Sequence, residues 1–65
     1  MPVVRAQFWK GSSTATRHAI AASITQIMVD QLACPPQAVT VILEEIEHDH
    51  WYIGGTDAKT LTSGS

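Results

Sequence analysis

Residues 3–9 alternate in character. Val4, Ala6 and Phe8 fall on one side, and Val3, Arg5, Gln7 and Trp9 on the other. A period of two over seven residues predicts a β-strand. Both sides carry apolar groups, so both faces are expected to be covered, one by a helix and one by another subunit. Lys10-Gly11-Ser12-Ser13-Thr14 breaks the alternation. Gly11 supplies a flexible corner, and Ser12 or Ser13 can cap a following helix by accepting from its first unpaired N–H groups. Neither serine has Glu or Gln three residues on, so the reciprocal capping box is missing. From Thr14 to about Ala33, Ile20, Ile24, Ile27, Met28 and Leu32 define one face of an α-helix. Ala15, Ala19, Ala21 and Ala22 add helix propensity. Cys34-Pro35-Pro36 ends the helix, because a residue before proline is pushed out of the α region. Val39 to Ile46 predicts a second strand, with Val39, Val41 and Leu43 on one side and Thr40, Ile42 and Ile46 on the other. The polar run from Glu44 to His50 is expected to turn this strand into a loop. Trp51 to Gly55 is a short β-prone piece closed by a Gly-Gly turn. Thr56 to Ser65 is polar and expected to fray.

Strand, long helix and strand make one βαβ unit, with parallel strands and a right-handed crossover. The expected fold class is therefore α/β: a single β-α-β unit with a short C-terminal β-hairpin, one domain over residues 1–60 and a flexible tail over 61–65. Two strands and one helix leave a sheet face uncovered, so the expected architecture is a dimer with a four-stranded sheet and higher assembly through the other face. Length sharpens that expectation. A chain of 65 residues buries only about 60% of its unfolded surface and needs disulfides, a metal or partner subunits. The single cysteine, Cys34, excludes an internal disulfide framework and suits a reducing cytosol. With 45% hydrophobic and 15% charged residues the chain is too apolar to be disordered, so much of its apolar surface is expected between subunits.

Charge and hydropathy remove several function classes. A net charge of −2 with four Lys+Arg offers no basic patch for nucleic acid. No charged-then-apolar leader opens the chain. The run from Ala19 to Val29 is interrupted by Ser23, Thr25 and Gln26 and is far too short to span a bilayer. The expected compartment is the cytoplasm, with neither nucleic acid nor membrane as a partner.

The candidate chemistry begins at Pro2. A small second residue permits removal of Met1, which would leave Pro2 as a free N-terminal secondary amine. A free α-amine titrates near pKa ~8. In a dry pocket its charged form loses hydration, so the value falls towards neutrality and the amine can act as a general base. A proline also opens an edge strand without wasting an N–H, and both readings stay open from the residue alone. His48-x-His50, among Glu44, Glu45, Glu47 and Asp49, has no third ligand at a recognised spacing, so a solvated loop and no metal are expected. His18 is expected at the surface. Cys34 sits at a helix C-terminus, where thiolate formation is disfavoured, and reads as a structural thiol. Glycine-rich phosphate loops, paired zinc cysteines and nucleophile elbows are absent from the sequence.

Taken together, Pro2 after the initiator, the strand, the Gly-Ser-Ser corner, one long helix, Pro35-Pro36, the second strand and His50-Trp51-Tyr52-Ile53-Gly54-Gly55 resemble the 4-oxalocrotonate tautomerase family over about residues 2–60. The resemblance implies a β-α-β protomer, commonly assembled as a hexamer (a trimer of dimers). It implies an amino-terminal proline that moves a proton between carbon and oxygen of an enol or dienol acid, with no cofactor or metal. By position, Pro2 would be the base, and Trp51 the aromatic residue of the apolar wall. Val3, Gln7, Trp9 and Ala38 match pocket-lining positions, some contributed by neighbouring subunits. The founding enzyme has arginines after the corner glycine and inside the second strand, which clamp a diacid; here Ser12 and Thr40 stand there. A hydroxyl offers one neutral donor, roughly half as strong as a guanidinium's charge-assisted bond. The resemblance therefore implies a monocarboxylate or neutral enol as the small-molecule substrate, with Lys10 as the best substitute carboxylate partner. Without those arginines, burial against Trp9 and Trp51 must lower the Pro2 pKa; otherwise Pro2 suits a general-acid role. The expected activity is a cofactor-independent tautomerase that requires removal of Met1. The alternatives are a non-catalytic oligomeric scaffold or binding protein, or a Pro2-dependent hydratase or decarboxylase, the former needing Glu44 or Glu45 near Pro2.

Overall fold

The computed structural model describes residues 1–63. Strand β1 (Val3–Trp9) leads through the Gly11 corner into helix α1 (Thr14–Leu32), a 3-10 turn (Pro36–Ala38) and strand β2 (Thr40–Ile46). A second 3-10 turn (His48–His50) leads to the short strands β3 (Tyr52–Ile53) and β4 (Thr56–Asp57) and to helix α2 (Ala58–Ser63). β1 and β2 are parallel, in register from Val3↔Thr40 to Trp9↔Ile46. The ladder continues by one bond at each end: Thr40 N–H donates to the Pro2 carbonyl at 3.0 Å, and Lys10 N–H to that of Ile46 at 2.9 Å. The β-α-β unit and the C-terminal hairpin expected from the pattern are both present.

Ser13 rather than Ser12 caps α1, its Oγ accepting from Thr16 N–H at 3.1 Å. The helix stops at Leu32, before the prolines act. Ala33 turns left-handed (φ 54°, ψ 44°) and returns its N–H to the Val29 carbonyl at 3.0 Å. The covered stripe of α1 is narrower than the apolar pattern predicts. Ile20, Ile24 and Met28 are half-buried, but Ile27 and Leu32 remain 54% and 57% exposed. Val39 closes the preceding 3-10 turn with an N–H bond to Pro36 O, so β2 begins one residue late.

Of the segment expected to fray, residues 56–63 instead form β4 and α2. Gly54 and Gly55, at φ 60° and 87°, make the tight turn that pairs Tyr52 with Asp57 and Ile53 with Thr56. Asp57 then starts α2 by accepting from Thr60 N–H at 3.3 Å and Thr60 Oγ1 at 2.5 Å. The expected boundary at residue 60 thus falls inside a helix, and Leu61–Ser63 belong to it. Gly64 and Ser65, the rest of the expected tail, lie outside the described residues.

Ala58, 1% exposed, is the only buried residue among those described. The radius of gyration is 15.1 Å, against about 11 Å for a closed domain of this length. The chain by itself has two layers and no sealed core.

Candidate active site

Pro2, Val3, Ala38 and Thr40 gather at one end of the sheet. The Thr40 N–H bond to the Pro2 carbonyl fixes Pro2 ahead of β1, where it is half-buried. Val3 lies opposite Thr40 in the ladder, and Ala38 ends the 3-10 turn that delivers β2. With Met1 attached, the Pro2 nitrogen is a tertiary amide without basicity.

Trp9 and Trp51 lie at the other end. The Trp9 ring stacks at a tilt on His48, centroids 4.7 Å apart, and meets Trp51 edge-on at 6.0 Å. Trp9 pairs with Ile46, so the turn after β2 carries His48 and Trp51 back over it. Seven residue steps of β1 separate Pro2 from Trp9, about 23 Å at the rise of a parallel strand. The tryptophans expected to dry the Pro2 amine are therefore not beside it within one chain. Gln7 sits between the two ends, exposed and opposite Glu44.

Ser12 and Lys10, at the corner, are already engaged. Glu45 Oε2 accepts from Gly11 N–H (3.1 Å), Ser12 N–H (3.2 Å) and Ser12 Oγ (2.9 Å). Its Oε1 meets Arg17 Nη1 at 3.0 Å. Arg17 Nη1 also donates to the Ser12 carbonyl at 2.6 Å, and Nη2 to Thr14 Oγ1 at 3.1 Å. The Ser12 hydroxyl, then the Gly11 amide, hold the Glu45 carboxyl below the usual glutamate value. The Ser12 hydroxyl proton is thus spent inside the chain. Lys10 Nζ donates to Glu47 Oε1 at 2.9 Å; that bond raises the lysine pKa and lowers that of Glu47. Lys10 is an ion-paired surface residue in this chain.

The structure brings no group of three or more His, Cys, Asp or Glu close enough to hold a metal among the described residues. His48 to His50 form a 3-10 turn, and His48 packs on Trp9 rather than lying free in a loop. Glu47, His48, Asp49, Lys59 and Thr62 line an open cleft of ≈360 Å³. It lies at the far end of the sheet from Pro2 and contains none of the expected site residues. Cys34 is half-buried, its thiol near the Met28 carbonyl at 3.8 Å.

The family model described as tautomerase enzyme matches residues 2–60. The chain belongs to the tautomerase family. Probable tautomerase K2 of Dickeya dadantii is 39% identical over 56 residues, covering 85% of this chain and 84% of that protein. Probable tautomerase BH3814 of Halalkalibacterium halodurans is 29% identical over 55 residues, covering 85% and 90%. TomN, a 4-oxalocrotonate tautomerase homologue in the tomaymycin biosynthetic pathway, superposes with TM-score 0.89 at 29% identity, over 98% of this chain and 100% of TomN. A heterohexamer 4-oxalocrotonate tautomerase from Chloroflexus aurantiacus shares the fold, with TM-score 0.87 at 24% identity over 94% and 98% of the two chains.

Reading the sequence alone missed Arg17, Glu45 and Asp57 as structural residues. Glu45 gave a faint signal, since a second carboxylate in an otherwise alternating strand needs a partner. Arg17 gave a clearer one, lying one helical turn beyond the capping serine. Asp57 with Thr60 is a helix-start pattern that the polar composition of the segment hid.

Proposed function

We propose that this tautomerase works without a cofactor, in the cytoplasm, moving a proton between enol and keto forms of a small monocarboxylic or neutral substrate. Once Met1 is removed, the Pro2 secondary amine is the base that takes the proton and the acid that returns it. The observation that carries this reading is Pro2 itself. It is held at the start of β1 by the Thr40 N–H bond, at the residue where the family match begins.

The substrate class follows from the cations. Thr40, beside Pro2, offers only a neutral hydroxyl. Ser12 is bonded to Glu45, Arg17 to Glu45 and Ser12, and Lys10 to Glu47. Arg5, three residues on from Pro2 in β1, meets Glu44 at 3.5 Å, so a pair of charged clamps for a diacid is lacking around Pro2 among the described residues. Trp9, Trp51, Val3, Gln7 and Ala38 supply the apolar and polar walls, with the tryptophans coming from a second copy because about 23 Å of strand separates them from Pro2 in their own chain. Association into a homo-oligomer, a hexamer as the family resemblance implies, completes the site. Glu44 and Glu45 lie opposite Gln7 and Phe8, several residues along the sheet from Pro2. A hydratase would lack a water-activating carboxylate from its own chain.

Titration of the Pro2 nitrogen by NMR in the assembled, nitrogen-labelled protein tests the reading. A free secondary amine titrating well below ~8 is expected, and a Pro2→Ala variant should lose most keto–enol turnover of small enol acids. A Pro2→Ala variant with full turnover refutes the base assignment. An amide-like, non-titrating signal leaves the non-catalytic scaffold.

A further inference from the structure

Of the four cations in the chain, Arg5 stands nearest to Pro2 in sequence. Three steps of β1 separate the two, about 10 Å at the rise of a parallel strand. The alternation of β1 puts Val3, Arg5 and Gln7 on its exposed side, and the register sets Thr40 opposite Val3 and Ile42 opposite Arg5. Arg5 thus stands between Val3 and Gln7, two residues assigned to the walls of the Pro2 site, and one pair along the ladder from Val3 and Thr40. Its guanidinium is also uncommitted. The side chain is 67% exposed, and Glu44 Oε1 lies 3.5 Å from its Nε without a hydrogen bond. Among the described residues no other acceptor reaches it, so the edge formed by the two outer nitrogens is open. The other cations are placed differently. Lys10 donates to Glu47, and Arg17 to Glu45, Ser12 and Thr14. Lys59 lines the cleft at the far end of the sheet from Pro2.

An ion pair this exposed contributes little to the fold of its own chain. What the guanidinium can still do is recognise an anion. Its two outer N–H groups lie parallel and match a carboxylate bidentately, and such charge-assisted pairs are about twice as strong as neutral ones. We propose that Arg5 determines specificity at the Pro2 site, its outer guanidinium edge binding the carboxylate of a monocarboxylic enol acid whose reacting carbon lies at the Pro2 nitrogen. This rests on the proton transfer assigned to Pro2 and narrows its substrate to the acid over the neutral enol. The arginine side chain and a small acid together span the ~10 Å between the two backbone positions. Glu44 steadies the guanidinium from its Nε side and leaves the outer edge to the substrate. A second substrate carboxylate would meet the negative charge of Glu44 there rather than a second open guanidinium, which favours a monoacid over a diacid.

The test compares the enol form of phenylpyruvate with that of its methyl ester, which lacks the carboxylate charge, and reads keto–enol turnover by the assembled protein. Arg5→Gln is expected to lower the acid-over-ester preference in kcat/KM at least about 10-fold, carried by KM rather than kcat. Arg5→Lys keeps the charge but loses the fork, and its preference is expected to fall between those of Arg5→Gln and the natural chain. Binding without turnover reads the same contact. Cinnamate, titrated against the nitrogen-labelled protein, is expected to shift the Val3 and Thr40 amides and to bind at least about 10-fold more tightly than cinnamamide, a preference that Arg5→Gln abolishes. Native mass spectrometry checks that each variant assembles as the natural chain does; if Arg5→Gln does not, Arg5→Lys carries the comparison. An unchanged acid-over-ester ratio overturns the proposal, and so does a natural chain that binds cinnamate no better than cinnamamide. Loss of the cinnamate preference in Arg5→Gln, with no turnover by the natural chain, upholds the Arg5 contact and refutes the chemistry at Pro2, so the two failures are told apart.

Discussion

Ser13 is the residue on which the first turn of α1 depends, and Ser13→Ala isolates that dependence. Its Oγ accepts the Thr16 N–H at 3.1 Å and donates to Thr16 Oγ1 at 3.0 Å. Nothing stands ready to replace it. The first turn contains no acidic residue, and the neighbouring Ser12 hydroxyl is bonded to Glu45. The cap is exposed, so water takes over part of the lost bond, and the expected cost is about 1 kcal/mol. For a chain of this size that lowers the melting temperature by about 4–8 °C. Ser13→Gly keeps a backbone suited to the cap position and should cost only a few tenths of a kcal/mol. Thermal melts by circular dichroism, at one fixed protomer concentration because association is linked to folding, read both variants. Hydrogen exchange at the Thr16 amide should accelerate in Ser13→Ala alongside the melting shift. A Ser13→Ala melt within a degree of the natural chain would refute this account of the helix start. A Ser13→Gly chain less stable than Ser13→Ala would refute it as well.

Acid should loosen the fold in a defined direction. Glu45, Glu47 and Asp57 have folded pKa values below their ordinary 4.5, 4.5 and 3.8, held down chiefly by Ser12, Lys10 and Thr60 respectively. Their contributions are complete above those ordinary values and lost as pH falls through the lowered ones, so the denaturant midpoint should drop as pH falls below about 5. Glu45→Gln should flatten that slope; an unchanged slope would count against the corner cluster. At Ala33, the left-handed φ of 54° strains a residue with a Cβ. Ala33→Gly should raise stability by about 0.5 kcal/mol in the same melts, and a loss would show that the strain is negligible. A double-mutant cycle of Trp9→Ala and Trp51→Ala should return a coupling of about 1 kcal/mol from their edge-to-face contact; additive losses would mean that the rings act separately.

The order of the elements was legible because it is set locally. A period of two along β1, a helical run of apolar residues and a Gly-Gly turn each restrict a few consecutive residues, and the parallel pairing follows from the length of the crossover. Pro2 as the candidate base was also legible, since an amino-terminal amine is a property of covalent chemistry rather than of packing. Which side chains meet was not legible. The register that sets Phe8 opposite Glu45 gives Ser12 and Lys10 carboxylate partners on or just beyond the far strand. The helix at Ala58–Ser63 was lost in a polar composition, although Asp57 and Thr60 supply its start.

By itself, the sequence determined the β-α-β order and named Pro2 as the candidate base. Only the tertiary structure decided which donors are already satisfied, which stripe of α1 is covered, and that Pro2 and the tryptophan pair lie at opposite ends of one sheet. Those outcomes depend on strand register and on contacts between residues as far apart as Lys10 and Glu47. Hydrogen bonds and ion pairs act over a few ångströms in space, and separation along the chain does not reveal which side chains the fold will bring within that range.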